Sequence, residues 1–222
     1  MRENYQRQLD EIIERHQAAG EIPSLFLHSC CGPCSSYVLE YLARYFRITL
    51  FYFNPNMDTA EEYDRRTDTV RLLLASAEYP HAVSLIVAPY DHAPFLQAAA
   101  GLEHEPEGGA RCTRCFELRL EEAARRAALG GFDYFAATLT VSPHKDAERI
   151  NRIGREMGQR FGISWLPSDF KKKEGFKRST ILSRQYGLYR QDYCGCEYSK
   201  GHLTDFSENI STENKKEVFP NV

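Results

Sequence analysis

Five short apolar runs, each separated from the next by a stretch of helical character, constrain this chain more than any other feature. Residues 25–27, 48–53, 83–88, 134–137 and 163–166 are near-continuous apolar segments. Such runs suit strands buried on both faces, which is the signature of a parallel sheet covered by helices. Between and before them the periodicity becomes helical. Residues 3–19 form a lead-in helix ending near Gly20. Pro33 opens a second helix, with Tyr37, Val38, Tyr41 and Leu42 at helical spacing. Residues 59–78 form a third, with acidic residues early and Val70, Leu73 and Leu74 on its apolar side. A helix begins near Cys112, runs through 117–129 and stops at Gly130-Gly131. Another covers 145–161.

The alternation predicts an α/β fold: an open, doubly wound parallel sheet of about five strands with a C-terminal helical appendage. The expected organisation is an N-terminal helix (1–22), the α/β domain (23–167), a helical, basic appendage carrying a cysteine pair (168–200), and a polar tail (201–222). Residues 89–111, rich in Gly, Pro and His, read as an irregular excursion carrying functional loops. Ligands of such sheets gather at the carboxyl ends of the strands, and the appendage is expected to fold back over that edge.

All seven cysteines fall in three groups: Cys30-Cys31-Gly32-Pro33-Cys34, Cys112-Thr113-Arg114-Cys115, and Cys194-Gly195-Cys196. The first follows a predicted strand at a helix N-terminus, where free N–H groups and the helix dipole favour thiolate. The second has i, i+3 spacing, so both sulfurs leave one face of a helix. In the third, Gly195 allows the bend that brings two near-neighbour thiols together. Residues 1–5 lead into a charged amphipathic segment with no signal-peptide core. A cytoplasmic, reducing location is therefore expected, where grouped thiols serve metal or redox chemistry instead of disulfides. Three groups using every cysteine predict one shared site. Iron–sulfur, zinc and a thiol–disulfide relay all remain open at this point.

The net charge is −3, which excludes a uniformly basic nucleic-acid binder. Residues 145–190, however, hold twelve Lys and Arg against five Asp and Glu, while the flanks are acidic. A localised anionic partner is implied, unless the stretch is simply a solvated face. No apolar stretch approaches the ~20 residues that span a bilayer, so no membrane partner is expected.

The motifs resemble the cobalamin-independent epoxyqueuosine reductases, the QueH family, within the adenine-nucleotide-hydrolase-like α/β folds. The resemblance rests on 27–35 (LHSCCGPCS), 53–56 (FNPN), 111–120 (RCTRCFELRL), 137–145 (ATLTVSPHK), 169–172 (DFKK) and 189–196 (YRQDYCGC), and spans about 24–199. It implies reductive removal of the epoxide oxygen of epoxyqueuosine at the tRNA wobble position, with a [4Fe–4S] cluster and an additional iron. The implied cluster ligands are Cys30, Cys31, Cys112, Cys115, Cys194 and Cys196, with Cys34 a further metal ligand. Implied partners are tRNAs with queuosine-family anticodons and an external one-electron donor such as ferredoxin or flavodoxin. Cobalamin is not implied. The fold's ATP-binding loop is replaced by Ser29–Ser36, whose Pro33 lacks an N–H, so ATP is not expected either.

Candidate proton donors are His28, Tyr52, His144, Asp146 and Tyr193, by their place near strand ends or cysteine groups, although for each one alone a structural hydrogen bond is the commoner role. Asn54 and Asn56 are candidates for reading the base or sugar, or are an ordinary turn. Lys171, Lys172, Lys173, Lys177 and Arg178 are the best phosphate partners, with Phe170, Phe176 and Tyr186 as stacking rings. Two other functions fit the same residues: an ATP-dependent tRNA thiolase-like enzyme, and a zinc-stapled RNA-binding module.

Overall fold

The computed structural model describes residues 3–200. The expected polar tail lies outside the described residues. Helix α1 (Tyr5–Ala19) precedes strand β1 (Ser24–Ser29) and helix α2 (Gly32–Leu42). Then follow β2 (Arg47–Tyr52), α3 (Ala60–Ser76), β3 (Val83–Val87), α4 (Ala93–Ala99) and α5 (Ala110–Leu129). The chain continues through β4 (Tyr134–Ala137), a 3-10 turn at Thr138–Val141, α6 (Ala147–Phe161), β5 (Ser164–Trp165) and α7 (Gly175–Gln185).

The five strands form one parallel sheet in the order β3-β2-β1-β4-β5. Strand β1 is buried from Leu25 to Ser29, its apolar run 25–27 continuing into the buried polar residues His28 and Ser29. Leu25 and Leu27 face one side, packing with Val38, Leu42, Val70 and Leu73 of α2 and α3 and with Leu9 of α1. Phe26, Phe51 and Phe135 face the other, against Leu120 and Ala124 of α5 and Ile150 and Ile153 of α6. Helices cover both faces, so the sheet is doubly wound.

The caps follow ordinary sequence rules. Asn4, Thr59 and Asp146 accept hydrogen bonds at the N-termini of α1, α3 and α6, and Gly20 and Gly162 close α1 and α6 in left-handed conformation. Helix α7 lies along α2. Its first residue, Gly175, is so close to the Phe170 carbonyl and the Tyr37 ring that a Cβ would stand 1.9 Å from the carbonyl oxygen.

The region expected to be irregular contains α4. Seven residues are too few for a periodic signal. The helix is held by Pro94 in its first turn and by burial of Phe95 and Ala99 beside Cys115 and Cys196. Among the described residues, no helix is long and apolar enough to cross a membrane.

Candidate metal centre

Strands β1 and β4 are neighbours whose connections leave in opposite directions, which makes the crevice between their carboxyl ends the switch point of the sheet. The first cysteine group sits in it. Cys31 is the N-cap of α2 and its sulfur accepts from the Cys34 N–H at 3.5 Å. The sulfurs of Cys30, Cys31 and Cys34 all lie within 4.8 Å of one another, and Cys30 and Cys31 are 3.8 Å apart. Thiolates around one tetrahedral ion at ~2.3 Å stand ~3.8 Å apart, so this spacing suits metal ligation. Hydrogen bonds from Cys30 and Cys34 hold the Cys31 thiol well below its usual pKa, and donating them pushes Cys34 up. Thr138, which follows β4, donates to the Cys30 sulfur at 3.3 Å and accepts from the Cys30 N–H.

The other four cysteines line one cavity of about 20 Å³, together with Asn56, Phe95, Arg111, His144 and Lys145. Cys112 and Cys115 project from the first turns of α5, and Cys194 and Cys196 enter from the C-terminal segment. The expected single meeting point is thus two adjoining sets, a triad and a quartet. Two of the quartet's sulfurs already have donors. The Gly108 N–H reaches Cys112 at 3.2 Å, and the Arg119 guanidinium reaches Cys115 at 3.9 Å. Donors to sulfur are what a thiolate-held metal uses to settle its charge. Burial raises the thiol pKa of Cys112, Cys115 and Cys196, that of Cys115 to about 12. A bound cation would have to deprotonate them. An all-sulfur donor set with donors at four of its sulfurs fits an iron–sulfur centre.

Gly195 has φ +127°, and a Cβ there would stand 2.6 Å from the Met57 sulfur. Its carbonyl accepts from the Asp58 N–H, and Tyr193 donates to the Asp58 carboxylate at 2.9 Å. Arg66 of α3, 1% exposed, donates to the carbonyls of Cys194 and Tyr193 and pairs with Glu62 at 2.6 Å. Tyr189 adds a hydrogen bond to Glu62. Arg111 donates to the carbonyls of Leu102, Glu103 and Glu105, fixing the loop before α5.

Several expected site residues are elsewhere. His28 is fully buried in β1 beside the Phe53 carbonyl, and burial, aided by Arg119, lowers its pKa to about 3. It is neutral at physiological pH and does not line the cavity. Tyr52 is a core residue, and Asp146 is spent on capping α6. Tyr193 is engaged with Asp58. Of the five proton-donor candidates, His144 alone lines the cavity. Asn54 cannot read a base, because it is buried, donates to the Ser29 carbonyl and accepts from Arg119 at 2.6 Å. Asn56, 1% exposed, lines the cavity with its side-chain oxygen unpartnered.

On the basic stretch, Phe170 is core, whereas Phe176 is exposed. Lys173 pairs with Asp10, Lys177 with Glu174 and Arg178 with Glu40. Lys171 pairs with Asp169 and braces the carbonyls of Thr140 and Lys145. Lys172 is exposed. Sequence reasoning passed over Arg66, Arg119 and Lys145 as site residues. The signal was present for Lys145 and Arg119, which end or lie within the motifs 137–145 and 111–120, and absent for Arg66.

The model of the family described as "Epoxyqueuosine reductase QueH" matches residues 25–202, which include every cysteine. The chain belongs to this family. The QueH protein of Staphylococcus epidermidis is 41% identical over 200 residues, covering 88% of this chain and 84% of the relative. That of Streptococcus pyogenes serotype M1 is 39% identical over 198 residues, covering 88% and 78%. The QueH protein of Haemophilus influenzae is 36% identical over 178 residues, covering 79% and 71%. A solved structure of a predicted subunit of tRNA methyltransferase from Methanocaldococcus jannaschii overlays with TM-score 0.45 at 15% identity, covering 73% of this chain and 74% of that one.

Proposed function

We propose that this QueH-family chain is an epoxyqueuosine reductase, an oxidoreductase of tRNA queuosine biosynthesis. One observation carries the reading: the family match covers all seven thiols, and the fold delivers them to the carboxyl edge of the sheet. The overall change takes two electrons and two protons. The epoxide loses its oxygen as water and leaves a carbon–carbon double bond. The electrons come from an external one-electron donor such as ferredoxin or flavodoxin, and the reaction belongs in the cytoplasm, where tRNA and reductant meet.

The triad and quartet of cysteines would together hold a [4Fe–4S] cluster and an additional iron. When bound, this centre would supply electrons singly and a Lewis-acidic site for the departing oxygen. The protein's own part is positional and electrostatic. Arg66 and Gly195 set the third cysteine group, Thr138 and the Gly108 N–H direct hydrogen bonds at sulfur, and α4 closes one wall with Phe95. His144 and Asn56 are the polar side chains on the cavity wall suited to proton delivery and substrate orientation. Lys172, with Lys177 and Arg178 beside it, and the exposed Phe176 would meet the anticodon arm.

The test is anaerobic purification with iron and sulfide analysis, followed by assay on tRNA bearing the epoxide nucleoside. Brown protein absorbing near ~400 nm that converts this tRNA under reducing conditions supports the reading. Colourless zinc protein, or iron-loaded protein inert towards the tRNA, overturns it.

A further inference from the structure

Among the described residues, the fold buries three arginines almost completely, Arg66, Arg111 and Arg119, and their charges are compensated differently. Arg66 faces the Glu62 carboxylate. Arg111 is solvated by three main-chain carbonyls and lies 4.6 Å over the Tyr198 ring. Arg119 has neither kind of compensation. Its guanidinium touches the Asn54 side-chain oxygen at 2.6 Å, the His28 Nε2 at 3.4 Å and the Cys115 sulfur at 3.9 Å. Among the described residues, no carboxylate pairs with it. Lys145, half-buried, lines the quartet's cavity and forms no ion pair with a carboxylate among the described residues, although Glu107 lines the same cavity.

Burying a cation without an anion costs several kcal/mol, so a fold that buries Arg119 in this way, with the half-buried Lys145 on the wall of the adjoining cavity, must receive negative charge from another source. Among the described residues, the contact of Arg119 able to carry negative charge is the Cys115 sulfur at 3.9 Å, and Lys145 shares its cavity wall with Cys112, Cys115, Cys194 and Cys196 as well as Glu107. Burial opposes the charge of Arg119, and Cys115, Cys30 and Cys194 offset it. Burial likewise opposes the charge of Lys145, and Cys194, Cys30 and Cys34 offset it. Each cation therefore answers to both sulfur sets.

We infer that Arg119, in contact with the Cys115 sulfur, and Lys145, on the quartet's cavity wall, are the built-in counter-charges of the thiolate-held redox centre and raise its reduction potential. The inference rests on the metal reading above. The physical cause is Coulombic. Adding an electron to a centre already made negative by thiolates is opposed in a low-dielectric site, and two fixed cations relieve that opposition. Arg119 adds a donor at the Cys115 sulfur, which acts in the same direction. A brace between α5 and the strand ends could also be built from a neutral side chain, so charge is the property to test.

The experiment compares Arg119→Met, Arg119→Lys, Lys145→Met and Lys145→Arg with the unaltered enzyme. All are loaded anaerobically, assayed for iron and sulfide, and titrated spectroelectrochemically at the cluster absorbance. The charge-removing variants are expected to have more negative midpoints, by at least tenfold in the one-electron equilibrium, which is 59 mV. The charge-keeping variants should stay near the unaltered value. They should also retain iron against a chelator, while the Met variants lose it at least threefold faster. Fully loaded Met variants with an unchanged midpoint would overturn the inference while leaving the metal centre standing. If Arg119→Met fails to fold, the half-exposed Lys145→Met decides alone. Unaltered protein that binds neither iron nor sulfide would remove the metal reading, and the inference with it, before any potential is measured.

Discussion

The Arg66 guanidinium, buried in α3, donates to the carbonyl oxygen of Cys194 at 3.0 Å across 128 residues of sequence. A helix on one face of the sheet thereby fixes the backbone of a cysteine pair near the C-terminal end of the described chain. The Glu62 carboxylate at 2.6 Å compensates the charge and takes a further hydrogen bond from Tyr189.

Breaking this clamp should be costly. Arg66→Met leaves Glu62 buried without its cation, and losing one partner of a buried pair typically costs about 3–5 kcal/mol. Urea unfolding should show that loss, and the iron content of anaerobically prepared protein should fall at the same time. Iron content unchanged in folded Arg66→Met protein would show that the 193–196 loop holds its shape without the clamp.

Gly195 is a second, sharper control on the same loop. At φ +127° a side chain is strained, and its Cβ would meet the Met57 sulfur at 2.6 Å. Gly195→Ala should cost about 1–3 kcal/mol and displace Cys194 and Cys196, lowering metal loading. Gly187→Ala makes the comparison, since Gly187 also has positive φ but nothing within 4 Å of its missing Cβ. It should cost about 1 kcal/mol and leave metal content intact. Equal metal contents in the two variants would count against a loop-geometry role for Gly195.

Much of this was legible because the signals are local. Parallel strands buried on both faces leave apolar runs, so β1, β2 and β4 stand out, whereas the edge strand β3 has an apolar run although Ser84 and Ile86 are exposed; the cysteine groups announce themselves by spacing. The polar interior does not. Arg66 and Arg119 lie on helices where arginine ordinarily means solvent, and only contacts from distant segments bury them. Asn54 reads as half of a turn, yet it joins the Ser29 carbonyl to Arg119. His28 sits beside a cysteine group in sequence, but the pleat of β1 turns its ring into the interior instead of the cavity. Helix α4 was hidden because its stability comes from packing against α5 and the thiols, not from periodicity.

Metal removal should weaken the fold as well as stop turnover, because the site joins α2, α5 and the C-terminal segment. A ligand held at a thousandfold excess over its dissociation constant stabilises by about 4 kcal/mol, or roughly 10 °C in a chain of this length. Chelation under anaerobic conditions should lower the thermal midpoint by that order. Cys112→Ser and Cys194→Ser should reproduce the shift in loaded preparations. Midpoints indifferent to both treatments would mean that the thiols bind no metal that bridges these elements.

The basic stretch makes a prediction in which neighbouring lysines part company. Lys172 is exposed, and Lys177 pairs only with the exposed Glu174 in a surface bridge worth well under about 1 kcal/mol. Both can turn to phosphate at little cost. Lys171 is committed to Asp169 and to the Thr140 and Lys145 carbonyls, beside the cysteine-lined cavity. Lys172→Gln with Lys177→Gln should reduce the slope of log affinity for tRNA against log salt by about 1–2, with iron content unchanged. Lys171→Gln should do the reverse, lowering iron content by loosening the 138–146 segment while leaving the salt slope nearly intact. A double variant whose slope matches the unaltered protein would place the phosphate contacts on another face.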